Sequence, residues 1–313
     1  MNIQQTISLP TRYISTIDVL GPKDIYLNKI KSHFSVKIKI NESDILIYGD
    51  EAQVQNAVKV FEEIIETLST GEKILPDDVD LFIHQAENGH SVIRSNDLIL
   101  QIGKTQVRAK TAHQKEYVDA IENNTITFAI GCAGTAKSFL AITSAVKALK
   151  EKRVSKIILS RPPIALQGYD IGFIPGTDSM KMAPWIAPLT DVLCEFYSRE
   201  KIEEMIEHET ICTIPLAYIR GRSFKNSFII LDEAQNASVE AFKSVMTRLG
   251  VGSKLVICGD TLQTDINGKS GLEKAAHIME GADNVAIVRM GYEDIVRSGI
   301  TAEVIKRFTE AGY

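Results

Sequence analysis

Lys137 and Ser138 close the octamer GCAGTAKS, residues 131–138, in which Gly131 and Gly134 precede an amine and a hydroxyl. A chain rich in glycine can turn its backbone N–H groups inward on an anion. A lysine placed after it can reach the outer phosphates of a nucleotide, and the hydroxyl can ligate Mg²⁺. The usual spacing is G-x-x-x-x-G-K-[ST], and Ala136 stands where its second glycine would be. Alanine resists conformations that glycine adopts freely, so the substitution bears on the rate of turnover more than on binding. A pair of carboxylates, Asp232 and Glu233, follows about 95 residues later in FIILDEAQ. At the end of an apolar strand, Asp232 can hold Mg²⁺ and Glu233 can orient and deprotonate a water. In KLVICGDTLQTD, Gln263 can hydrogen-bond a γ-phosphate and the attacking water, although Gly-Asp after a strand is also an ordinary turn.

These residues need a particular scaffold. TITFAI runs into the glycine loop, and the loop into SFLAITSAVKALK, which is strand, loop and helix in the order that a phosphate site requires. SKIILS, FIILD, KLVICGD and NVAIV are further near-continuous apolar runs between helical stretches, the pattern of a parallel sheet covered on both faces. The preceding residues read differently. YISTIDVLG (13–21) is strand-like, DIYLNKIKSHF helical, and Val36, Ile38 and Ile40 alternate with lysines as a half-buried strand does. A second strand, DILIYG, and an amphipathic helix carrying Val54, Ala57, Phe61 and Ile64 complete a β-α-β-β-α order. Residues 1–71 thus form a small α+β domain, 72–110 a connector with a β-hairpin around Ser95, Asn96 and Asp97, and 111–313 the α/β domain.

The 313 residues are enough for roughly two domains at ~150 each. A net charge of -5 argues against a generally basic nucleic-acid coat but leaves room for a local track, for which Lys104, Arg108, Lys110 and Lys115 are candidates. A run of charge is equally a solvated face. The four cysteines are scattered, without metal-ligand spacing, and only Cys132 lies in the loop. No apolar run approaches the ~18 residues of a membrane helix, and the N-terminus is too polar for a leader, so no membrane association and a cytoplasmic location are expected.

The stretches GCAGTAKSFLA, SRPPIALQGYDIGFIPGT, PLAYIRGRSFKNSFIILDEAQN, TRLGVGSKLVICGD and GYEDIVR, in that order from about residue 105 to 300, resemble the PhoH family, relatives of superfamily 1 helicase cores. The resemblance implies an α/β RecA-like P-loop NTPase domain with a parallel sheet, joined to a KH-like N-terminal domain. It implies ATP and Mg²⁺ as ligands, bound by Gly131, Cys132, Ala133, Gly134, Thr135, Ala136, Lys137 and Ser138, with Asp232 on the metal. Gln114 would read adenine, Glu233 serve the water and Gln263 sense the γ-phosphate. Arg161, Arg220, Arg222 and Arg297 lie in similar motifs and suit phosphate contacts or structural ion pairs. Residues 298–313 are too few for a second lobe. The arginine that reaches the γ-phosphate is therefore expected from another subunit, with Arg222 or Arg297 as candidates, in a homo-oligomer that is hexameric by likeness. ATP hydrolysis would remodel or unwind RNA or single-stranded DNA. The alternative is a slow ATP-binding switch that docks a partner such as a ribonuclease. A phosphotransferase fits the Ala-Gln after the carboxylates less well. GPKD (21–24) lacks the second glycine of the G-x-x-G loop with which KH domains clamp a nucleic-acid backbone.

Overall fold

The computed structural model describes residues 2–10, 14–41, 44–69, 74–87, 98–103, 105–162, 178–261, 270–296, 304 and 307–308. The chain divides into two compact units, one built on the residues up to Asp97 and the other on Leu98–Ile295. The 72–110 stretch, expected to be a connector, is thus shared between them.

The first unit opens with β1 (Asn2–Ser8), followed by α1 (Thr16–Leu20), α2 (Ile25–Phe34), β2 (Lys37–Asn41), β3 (Asp44–Asp50), α3 (Glu51–Ser69) and α4 (Pro76–Glu87). Its antiparallel sheet has the order β1-β3-β2. Ile45 and Ile47 on β3 face Ile30, Val54, Phe61 and Ile64, all wholly buried, while Val79 and Ile83 of α4 close the same core. Three expectations are corrected here. Residues 16–20 are helical, because Ser15 and Asp18 form a reciprocal capping box that satisfies the first N–H groups. The alternation of Ile14, Ile17 and Val19 is broken, with Ile17 left 75% exposed. The first strand is instead β1, an edge strand that buries little, and the helix within 72–90 belongs to the core. Gly21–Asp24 join α1 to α2, and Asp24 takes a left-handed φ of 56°, a conformation that favours glycine.

The second unit begins with an antiparallel hairpin, β4 (Leu98–Ile102) and β5 (Thr105–Arg108). Its turn falls at Gly103, further along than the Ser95–Asp97 turn expected from the sequence, which lies outside the described residues. Then come α5 (Ala112–Asn123), β6 (Ile126–Gly131), α6 (Lys137–Lys150), β7 (Lys156–Ser160), α7 (Asp178–Leu193), α8 (Arg199–Glu207), β8 (Ile211–Thr213), β9 (Ser227–Leu231), α9 (Val239–Met246), β10 (Lys254–Gly259), α10 (Gly271–Met279) and β11 (Val285–Met290). The six strands β11-β6-β10-β9-β7-β8 form one parallel sheet. The interior strands are buried along nearly their whole length, as continuous apolar runs require. Leaving β6 the chain passes through α6 to β7, three places away, and β10 later fills the place beside β6. The crevice at the carboxyl ends of the strands, where the order switches, is where such sheets take ligands.

Candidate functional site

The loop from β6 to α6 is shaped by close packing and by two left-handed residues. A side chain on Gly131 would stand 2.2 Å from the Met290 carbonyl, so β11 can approach β6 only because this residue has none. Gly134 has φ 84°. Ala136, the residue that departs from the usual spacing, has φ 64° and ψ 22° and is the N-cap of α6, without a side-chain cap. The position keeps the conformation a glycine would take, at a cost of about 1–2 kcal/mol for an L-residue.

Lys137 starts α6 and turns back into the loop. Its Nζ donates to the carbonyls of Gly131 and Cys132, both at 2.7 Å, and to Thr135 Oγ1 at 3.2 Å. Thr135 Oγ1 in turn donates to the Cys132 carbonyl at 3.0 Å. The ammonium thus occupies the bowl of the loop, held by oxygens that a phosphate can replace. Burial pushes the Cys132 thiol up to about 11 against the pull of Lys137, so it stays protonated and donates to the Gly291 carbonyl at 3.4 Å.

One residue further, Ser138 Oγ donates to Asp232 Oδ1 at 2.5 Å. Asp232, at the end of β9, is 3% exposed. Its other oxygen, Oδ2, accepts from Arg161 Nε at 3.0 Å and from a second guanidinium nitrogen. Arg161 follows β7 directly and also lies 3.9 Å from Glu233. A hydroxyl and a buried carboxylate side by side form an all-oxygen donor set of the hard kind that Mg²⁺ prefers. Glu233 has a left-handed φ of 52°, and its carboxylate accepts from Gln235 Nε2 at 2.7 Å. Gln235 is itself buried and accepts the Asp260 N–H at 3.0 Å, which ties the end of β9 to the end of β10.

Gln114 is buried at the start of α5. It is 1% exposed, its Oε1 accepts from the Lys110 N–H at 2.8 Å, and its Nε2 donates to the Thr135 carbonyl at 3.4 Å. The residue expected to read adenine thus braces the loop through both ends of its amide. Thr111, which caps α5, donates to Asp294 Oδ1 at 2.5 Å, and Asp294 Oδ2 accepts from His113 Nδ1 at 2.8 Å and from Gly291 N at 2.9 Å. The ligand atoms of His113, Glu293 and Asp294 lie within 4.8 Å of one another. Asp294 is so fully used by hydrogen bonds that the trio acts as a clasp between α5 and the end of β11.

The loop, Lys137, Ser138, Asp232 and Glu233 therefore converge as their types and spacing suggested. Gln263 and Arg297 lie outside the described residues, as does Lys104. Arg222 is exposed and lines a cavity with Lys156 and Ser227, the first residues of β7 and β9, which places it away from the carboxyl ends that carry the loop. Lys115 is paired with Asp119 at 2.6 Å. Gln235 and Asp294 complete the site without having been assigned roles from the sequence, while Arg161, read as suited to phosphate contacts or a structural ion pair, is paired with Asp232.

A parallel sheet, a glycine loop closing on a helix with Lys137 and Ser138, and a carboxylate pair at the end of a strand two places away define a P-loop NTPase. Residues 106–309 match the family described as PhoH-like protein. The chain belongs to the PhoH-like family. It is 36% identical to the "PhoH-like protein" of Mycobacterium leprae across 99% of this chain and 89% of that one, and 34% identical to that of Synechocystis across 97% and 94%. Among solved structures, the Sulfolobus solfataricus SWI2/SNF2 ATPase core in complex with dsDNA is similar at 13% identity and a TM-score of 0.34, over 64% of this chain and 47% of the other. Among the described residues no helix is long and apolar enough to cross a membrane.

Proposed function

We propose that this protein is a cytoplasmic, Mg²⁺-dependent ATP hydrolase that couples hydrolysis to the remodelling of RNA or single-stranded DNA, working as a homo-oligomer. The observation that carries the ATPase reading is the convergence of Lys137, Ser138, Asp232 and Glu233 at one edge of the sheet. Lys137 exchanges its three loop oxygens for phosphate oxygens, and the loop N–H groups and the N-terminus of α6 supply further positive potential. Ser138 and Asp232 would hold the metal, which when bound would neutralise negative charge on the phosphates. Glu233, fixed by Gln235, orients the attacking water and takes its proton, giving ADP and inorganic phosphate. The nucleic-acid substrate is what membership of the PhoH-like family, related to superfamily 1 helicase cores, implies.

A second reading, a slow switch that docks a protein partner such as a ribonuclease, is favoured by the internal pairing of the site: Lys137 is bonded into its own loop and Arg161 to Asp232. Phosphate release from ATP and Mg²⁺, with and without single-stranded RNA or DNA, separates the two. Stimulation by nucleic acid that is lost in Lys137→Ala supports the motor reading. Tight ATP binding with negligible turnover under every condition refutes it in favour of the switch.

A further inference from the structure

Four cations, Arg220, Arg222, Lys225 and Arg248, gather at the amino ends of β9 and β10, the end of the sheet opposite the glycine loop. The first three lie on the segment that leads into β9, and Arg248 lies in the turn between α9 and β10. Backbone bonds join the two segments, from Phe224 N to the Arg248 carbonyl at 2.9 Å and from Gly250 N to the Phe224 carbonyl at 2.6 Å. Ile219 and Phe224 sink into the core with Phe242 and Val245 of α9, while Arg220, Arg222 and Lys225 are exposed. Elsewhere in this unit Arg153, Arg161 and Arg289 are held by carboxylates. None of the four cations has one among the described residues. Arg222 lies near the Cys212 thiol, but burial pushes that thiol up, so it stays neutral and offers no counter-charge. The Nε of Arg248 is buried and makes no hydrogen bond. Tyr218, just before this run, leaves an aromatic ring 53% exposed. Like charges gathered without counter-charge repel one another, and a polyanion relieves that repulsion. Guanidinium matches phosphate in two parallel hydrogen bonds, and an exposed ring offers a platform to an unpaired base.

We infer that this basic face binds the backbone of single-stranded nucleic acid, with Arg220, Arg222, Lys225 and Arg248 on phosphates and Tyr218 stacked on a base. The inference rests on the nucleic-acid reading above and goes further in naming the surface. The stretch singled out in the sequence fits less well, because Lys115 is committed to Asp119 and Arg108 bonds to Gln106. The cavity beside Arg222 and Lys225 has Asp191 and Glu203 on its α7 and α8 wall, which confines a phosphate chain to the side of β9 and β10. β9 runs from Ser227 at this face to Leu231, next to Asp232, so nucleic acid and nucleotide occupy opposite ends of one strand and do not compete for the same cations.

The test is fluorescence anisotropy with labelled oligo(U) and oligo(dT), titrated without ATP over a range of salt. Phosphate contacts by the four cations give a slope of log K against log salt of about −2.8 for a single strand. Arg222→Gln/Lys225→Gln, which changes two exposed side chains, should halve the slope to about −1.4 and weaken binding at low salt by roughly tenfold or more. Tyr218→Leu should weaken binding about tenfold and leave the slope unchanged. Lys110→Gln/Lys115→Gln should change neither quantity. All variants are first checked for a cooperative thermal melt. Wild-type affinity and slope in Arg222→Gln/Lys225→Gln overturn the assignment while leaving the nucleic-acid reading intact, and their loss in Lys110→Gln/Lys115→Gln alone moves the strand to the other stretch. Light scattering tests the rival occupant, a second copy of this chain. A fall in mass of Arg222→Gln/Lys225→Gln with unchanged oligonucleotide affinity makes the face a subunit contact and overturns the assignment. If the wild type binds neither oligonucleotide at low salt, the nucleic-acid reading falls, and this one with it.

Discussion

Replacing Ala136 by glycine should stabilise this protein, although it removes a methyl group and adds freedom to the unfolded chain. The φ of 64° at Ala136 costs about 1–2 kcal/mol in an L-residue and almost nothing in glycine. Against this stands the extra conformational entropy of glycine in the unfolded state, about 0.4–1 kcal/mol. Ala136 caps α6 through its backbone only, with its carbonyl accepting from the Leu140 N–H at 2.9 Å, and that bond survives the substitution. The balance is a gain of about 0.5–1 kcal/mol, or roughly 1–3 °C in the melting temperature of a unit of this size. Thermal unfolding followed by circular dichroism without nucleotide measures it. The control is Ala133→Gly in the same loop. Ala133 is not among the residues of positive φ, so there the entropy term acts alone and stability should fall. Opposite signs at two alanines three residues apart are what the strain argument requires. A melting temperature that falls or stays level in Ala136→Gly, or moves in the same direction in both variants, would refute it.

Two further outcomes follow from buried polar groups. Asp294→Ala removes the acceptor shared by Thr111, His113 and Gly291, leaving one buried and two partly buried donors unpaired, and should cost about 3 kcal/mol, or roughly 6–12 °C in melting temperature; a drop under about 2 °C would show that the clasp contributes little. In the first unit, burial and then the neighbouring Glu66 push the Glu63 carboxyl up from its ordinary 4.5 to about 7. The folded state thus binds the proton more tightly than the unfolded chain, and Glu63 contributes fully below about pH 4.5 and loses that contribution as pH rises through about 7. The urea midpoint of Glu63→Gln should therefore gain on that of the wild type between pH 5 and pH 8, and a constant difference would count against the shift.

The parts of the fold legible in the sequence are those whose signal is local and strong. β6, β7, β9, β10 and β11 coincide with the apolar runs read as strands, because strands buried on both faces need apolar residues at successive positions. β8 has only three residues, too few for any period, and β1 is an edge strand in which only Ile3 and Ile7 turn partly inward. At Thr16–Leu20 a tempting alternation lost to the Ser15–Asp18 capping box, a signal equally present in the sequence. The site divides in the same way. Lys137 and Ser138 sit in one octamer, and Asp232 and Glu233 end one strand, so strand-loop-helix order suffices to find them. The bond from Arg161 to Asp232 spans 71 residues and that from Thr111 to Asp294 spans 183. Such pairs exist only once the strand order β6-β10-β9-β7 has brought distant ends together, and no local spacing encodes that order.

That long-range pairing bears on how tightly ATP can bind. Lys137 already has three oxygen partners, Ser138 and Asp232 have each other, and Arg161 has Asp232. Nucleotide therefore enters by exchange, each phosphate contact replacing an internal bond of similar kind, and its affinity is a difference between two sets of charge-assisted hydrogen bonds. ADP can recruit Lys137 and the loop N–H groups. On the ATPase reading, a nucleotide that also brings a metal for Ser138 and Asp232 would exchange that bond as well, so its affinity should fall when Mg²⁺ is withheld.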